Sequence, residues 1–207
     1  MTDHREEPTP ENPLNKQSKI FAIIAVAAIF GIVLFILFGL KTPPPPAPTI
    51  EYNYFTFTEN EGLWETVVEV KGQPVLATFR FNPEQVADVP LSGNKVTIGQ
   101  PLYLTFDPEA PPDSYKYLAL ANTELALHLI RAFNITVESA CTKNLTDACL
   151  DRPIIDCSTK NASVIKLIPT PPAQITLQDN CVILSGQDLD LLKAVDRLLF
   201  KWYSIMR

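Results

Sequence analysis

The stretch "IFAIIAVAAIFGIVLFILFGL", Ile20 to Leu40, carries no charge and no strongly polar side chain over 21 residues. As a helix it is roughly 31 Å long, which matches the ~30 Å hydrocarbon core of a bilayer. A helix packed on the surface of a soluble core would show a polar stripe, and this segment is apolar on every face. A secretory signal has a shorter apolar region, about 7–15 residues, with a small-residue cleavage site behind it. Here Lys41-Thr-Pro-Pro-Pro-Pro follows instead. The sequence therefore predicts a membrane-spanning helix over 20–40.

The flanks give this span a direction. Arg5, Lys16 and Lys19 precede it, and Lys41 alone closely follows. Cytoplasmic flanks carry the excess of Lys and Arg, so residues 1–19 are expected inside and the rest outside. The tail has no aromatic residue and no apolar periodicity, and reads as disordered. Pro43 to Pro48 cannot continue a helix and favours an extended, semi-rigid conformation. Residues 41–49 are thus expected to be a spacer, and 50–207 a single outer domain. The lipid bilayer is the expected partner of 20–40, and an envelope protein the expected kind of partner for the domain. The net charge of −6 provides no basic footprint, which argues against nucleic acid. The seven glycines form no phosphate-cradling loop, and no cofactor is implied.

All four cysteines, Cys141, Cys149, Cys157 and Cys181, fall in the outer part. Four cysteines allow three pairings. The preferred one joins Cys141 to Cys149 across a short loop and Cys157 to Cys181 between two predicted strands. A zinc site is the competing reading, but the spacings are C-x7-C, C-x7-C and C-x23-C rather than paired knuckles. Asn134-Ile-Thr, Asn144-Leu-Thr and Asn161-Ala-Ser are glycosylation acceptor sequences. They suit an exported glycoprotein.

Alternation from Ile50 to Phe81 predicts three antiparallel strands joined at "TENEG" and "KGQP". "NPEQVADVP" reads as a short helical turn capped by Asn82. A strand at "QPLYLTFDP" precedes a long helix, "SYKYLALANTELALHLIRAF", with Asp113 as its cap. Strands are expected at "ITVESA", "PIIDC", "ASVIKLI", "AQITL" and "CVILSG". A closing helix from about Gln187 has a buried stripe of Leu191, Val195, Leu198, Leu199 and Trp202. Its Asp188, Lys193, Arg197 and Lys201 are expected to face water. The fold class is α+β, with a mostly antiparallel sheet covered on one face by two long helices.

The combination of "FTENEGLWETVVEV", "FRFNPEQV", "ITVESACTKN", "RPIIDC" and "NCVILSGQDLDLLKAVDRLLFKWYSIM" resembles a family of uncharacterised exported proteins of small-genome archaea. The resemblance implies one N-terminal span, a cysteine-bearing outer domain and an archaeal envelope setting. It implies no activity and no catalytic residue.

Catalytic machinery is sparse. The chain has two histidines, and His4 lies in the tail. His128 follows Glu124 by four residues on the long helix, so the two side chains share a face and could join a third ligand on a metal. Neither the H-E-x-x-H nor the G-x-S-x-G pattern is present. Asp107, Glu109 and Asp113 cluster in a Pro-rich loop without the spacing of an EF-hand. The preferred reading is a single-pass, membrane-anchored domain with a non-catalytic binding or structural role. The alternative is an envelope enzyme or metal-dependent site that uses Glu124 and His128, or the acidic loop.

Overall fold

The computed structural model describes residues 13–39, 46–93 and 96–207. Most of the tail expected at 1–19, Leu40 and the spacer residues 41–45 lie outside the described residues. The chain divides into two compact units between Pro46 and Ala47. In the first, α1 (Pro13–Leu34) runs on into a π-helical turn, Phe35–Gly39. Gln17–Gly39 is long and apolar enough to cross a membrane, and its side chains, Ile23, Val26 and Phe30 among them, are exposed.

The second unit begins with an antiparallel meander: β1 (Thr49–Tyr52), β2 (Phe55–Asn60), β3 (Leu63–Val70) and β4 (Gln73–Phe79), in that spatial order. It has four strands where the alternation predicted three. The first run is broken at Asn53-Tyr54, whose φ angles of 44° and 70° form a two-residue hairpin loop between Tyr52 and Phe55. Left-handed pairs recur at Glu61-Gly62 and Lys71-Gly72. Positive φ at both central residues matches the twist of the flanking strands.

A second sheet contains β5 (Leu91–Gly93), β6 (Leu102–Phe106), β7 (Val137–Cys141), β8 (Ser163–Ile168), β9 (Gln174–Gln178) and β10 (Cys181–Ser185), in the order β5-β9-β10-β8-β6-β7. Only β9 and β10 pair antiparallel; the other neighbours are parallel. This corrects the expectation of one mostly antiparallel sheet. The cause is the connection from β6 to β7 through α2 (Tyr115–Arg131), a helical crossover that returns the chain in the same direction. "PIIDC" is not a strand; only an isolated bridge ties Ile154 to Cys141.

Central strands of such a sheet are covered on both faces, which explains the apolar run in β8. Ile165 and Leu167 join the main core, whereas Val164 packs on the other side with Cys181, Tyr103 and Ile155. Buried residues of α2, of α3 (Leu189–Trp202) and of both sheets belong to that main core. Phe200 of α3 lies with its ring 4.5 Å from Phe79 and 5.7 Å from Phe57, both in the meander.

Three local expectations are corrected. Asp113 does not cap α2: a 3-10 turn, Pro112–Ser114, leads into the helix, and Ser114 Oγ donates to Pro111 O at 2.6 Å. Pro111 and Pro112 bring no N–H, so they leave fewer donors for a cap to satisfy. Arg197 does not face water. It is 9% exposed, because the chain after α3 folds back, with Ile205 and Met206 donating to Phe200 O. Trp202 is half-buried and meets Phe133, just beyond α2, at 6.2 Å between ring centroids, rather than a sheet.

Candidate functional site

Glu124 and His128 lie where α2 runs beside β4. That strand is the edge of the meander, and α2 meets its C-terminal end. Lys71, Thr78 and Arg80 are tied in turn to Phe133 O, His128 and Glu124. The junction opens into a cleft of about 300 Å³, walled by Leu76, Leu120, Leu127, Arg80, Glu124 and His128.

Each polar group in the cleft has a defined role. Arg80 donates Nε and Nη2 to one oxygen of Glu124, Oε1, at 2.9 and 2.6 Å. The other oxygen, Oε2, is buried without a donor among the described residues. Burial pushes the Glu124 carboxyl above its ordinary range, against the opposing pull of Arg80. His128 Nε2 lies 2.9 Å from Thr78 O, a pure acceptor, so Nε2 carries the proton. Nδ1 then accepts from the Tyr203 hydroxyl at 2.8 Å. Burial holds the imidazole below its ordinary value and pushes the Tyr203 hydroxyl above its own, which fits a neutral pair. Neither ring nitrogen is free to ligate a metal without breaking one of these bonds, and Nδ1 takes a proton only if the Tyr203 hydroxyl turns to accept it.

Sequence reasoning missed the third member of this junction. Asp196 on α3 is 1% exposed, and its Oδ2 accepts from the backbone N–H groups of Arg80 at 3.0 Å and Phe81 at 2.8 Å. It thereby secures the chain where β4 leaves the sheet. Burial, and then the negative Glu124 nearby, push its carboxyl well above the ordinary range. The signal was present: Leu192, Leu199 and Phe200 flank Asp196 at helical spacing, so an acid at that position lies on an apolar face. Just beyond it, Asn82 and Gln85 exchange side-chain-to-backbone bonds of 3.0 and 2.9 Å around the short turn Glu84–Val86.

The acidic loop is occupied from within the chain. Lys143 Nζ reaches Asp107 Oδ2 at 3.1 Å and Glu109 Oε2 at 2.6 Å. The Glu109 backbone N–H, donating to Asp107 Oδ1, holds the Asp107 carboxyl below its ordinary range, and Lys143 adds to the effect. Asp113 lies apart in the 3-10 turn. Among the described residues no group of three or more His, Cys, Asp or Glu is placed to hold a metal ion. The sulfurs join Cys141 to Cys149 and Cys157 to Cys181. Asn134, Asn144 and Asn161 are all exposed. No protein-family model, curated protein or solved structure matches this chain.

Proposed function

We propose that this chain is a single-pass membrane protein with its C-terminal domain displayed outside the cell, and that the domain binds rather than catalyses. The observation that carries the reading is the pairing of one apolar helix near the N-terminus with a second unit whose four cysteines are all in disulfides. Disulfides form and persist in oxidising compartments. The cation asymmetry around the span and the exposure of Asn134, Asn144 and Asn161 support the same orientation, and make N-glycosylation part of the proposal. The archaeal setting is also a proposal and rests on the sequence resemblance alone. The cleft beside α2 supports the non-catalytic role, since His128 is held there by Thr78 and Tyr203 and Glu124 by Arg80.

Protease added to intact cells tests the orientation. The expected result is loss of the C-terminal domain with the N-terminal tail spared, and protection of the domain would overturn it. Alkaline carbonate washing and the mass of the mature chain test the anchor. A chain of full mass retained in the membrane supports it, whereas a shortened chain released into the wash would make α1 a cleaved signal.

A further inference from the structure

A second cleft, of about 690 Å³, lies between the first turns of α2, β7 and the loop closed by Cys141–Cys149. Clefts of 300–1,000 Å³ are the size that holds a small ligand. Phe106, Tyr115 and Leu118 give it an apolar floor, and Asn122, Ser139 and Arg152 give it polar groups.

The backbone of β7 is open here. β7 is the outermost strand of its sheet, with β6 as its only full neighbour. Cys141 points its N–H and C=O away from β6, since it donates to Pro153 O at 3.0 Å and accepts from Ile155 N at 2.9 Å. Outward-facing groups recur every second residue along a strand. Ser139 and Val137 therefore also direct their N–H and C=O outward. Beside Cys141 this lane is filled, in parallel orientation, by residues 153–155. Beside Ser139 it opens into the cleft.

Arg152 stands at the end of that lane. Its guanidinium lies 5.6 Å from the centroid of the Phe106 ring, and it makes no ion pair among the described residues. An extended chain placed beside Ser139 in the same parallel direction as 153–155 would run its C-terminal end toward Arg152. A planar guanidinium backed by an aromatic ring is suited to a carboxylate. Asp147 in the lining disfavours an acidic side chain in the cleft.

We propose that this cleft binds the carboxyl-terminal end of an extended peptide. The peptide backbone pairs with Ser139 at the free edge of β7, an apolar side chain rests on Phe106 and Leu118, and the terminal carboxylate meets Arg152. The inference rests on the reading of the outer unit as a binding domain. It is independent of which side of the membrane that unit occupies, because binding is measured on purified chain and orientation on intact cells.

The test uses the full chain in detergent and a labelled Ala-Val-Leu-Val peptide with a free C-terminus, followed by fluorescence anisotropy. The expected result is saturable binding that weakens about fivefold when the peptide is C-terminally amidated, the amount an exposed ion pair supplies. Arg152→Gln should weaken the free acid by about the same factor and leave the amide unchanged. N-methylation of the peptide amides on one edge should abolish binding, while methylation on the other edge should not; this arm leaves the protein unaltered. Hydrogen exchange should show new protection at the Ser139 and Val137 amides. Equal binding of acid and amide, indifference to methylation on either edge, protection confined to other strands, or no saturable binding would each overturn the proposal.

Discussion

Two residues hold conformations or charges that the fold has to accommodate. Asp196 is a buried carboxyl whose donors among the described residues are the backbone N–H groups of Arg80 and Phe81, with the acid Glu124 nearby. Its folded-state pKa is raised, so the folded chain holds the proton more tightly than the unfolded chain. The stability it contributes is therefore complete below the ordinary carboxyl value and is lost as pH rises through the raised one. Glu124 has the same sign. His128, lowered by burial, has the opposite one: its contribution is present above the ordinary imidazole value and is lost as pH falls. Asp196→Asn keeps an oxygen for both N–H groups and removes only the Asp196 slope. The melting temperature of the variant, relative to wild type, should rise as the pH climbs above the ordinary carboxyl value of about 4. A constant offset above that value would mean that the Asp196 carboxyl titrates alike in the folded and unfolded chain. Tyr54 is the second case. It has a φ of 70° in the Asn53-Tyr54 turn and its side chain is fully exposed. Left-handed geometry disfavours a bulky residue and suits glycine, so Tyr54→Gly should stabilise the domain by up to about 1 kcal/mol in urea unfolding. An unchanged or lower midpoint would show that the exposed ring contributes to the fold.

Helix α3 shows what an apolar pattern does and does not reveal. Leu191, Val195, Leu198 and Leu199 are buried, as their spacing predicts, and two of the three meander hairpins turn at the "TENEG" and "KGQP" residues that mark them, while the turn at Asn53-Tyr54 carried no such mark. Periodicity reports a face that is apolar, which includes the position of Asp196, and α3 is buried beyond that face at Arg197. Asp196 and Arg197 are enclosed because strand β4 ends against one and the returning C-terminal segment covers the other. No local pattern encodes either long-range contact. The same limit explains why Glu124 and His128 were legible as a pair on one helix face, while Arg80, Thr78 and Tyr203, which decide what the pair can do, were not. Strand direction is not reported by alternation, although the strand–helix–strand order of β6–α2–β7 carries the signal for a parallel crossover. The energetic centre of α3 follows from the contacts. Phe200 is fully buried between Phe57 and Phe79, whereas Trp202 is half-buried beside Phe133. Phe200→Ala should cost about 3–5 kcal/mol and Trp202→Ala roughly 1–2 kcal/mol in denaturant unfolding. The reverse order would place the hydrophobic anchor of the helix at its end.

At the scale of the whole molecule, the two disulfides hold different parts of the larger sheet. Cys141–Cys149 closes a separation of 8 residues at the end of the outermost strand, β7. Cys157–Cys181 closes 24 residues and ties the loop after the first bridge to the start of β10, an interior strand. Cys157 and Cys181 also lie in the small apolar layer with Val164, on the face of the sheet away from the main core. A cross-link removes more freedom from the unfolded chain when the loop it closes is longer. The chain-entropy relation gives about 2.6 kcal/mol for the short loop and about 3.5 kcal/mol for the long one. Packing does not add to this difference, since Cys141 and Cys149 are both buried whereas Cys157 is half-buried beside a buried Cys181. Replacing Cys157 and Cys181 together by Ala should therefore destabilise the second unit by about 1 kcal/mol more than replacing Cys141 and Cys149, before any packing loss is added. Urea unfolding of each purified double variant in the same detergent, followed by Trp64 and Trp202 fluorescence, measures the difference. Adding reductant to wild type should lower its midpoint at least as far as the worse double variant. If the Cys141 and Cys149 variant proves the less stable, the edge of the sheet, and not its interior, is the part that the covalent links hold together.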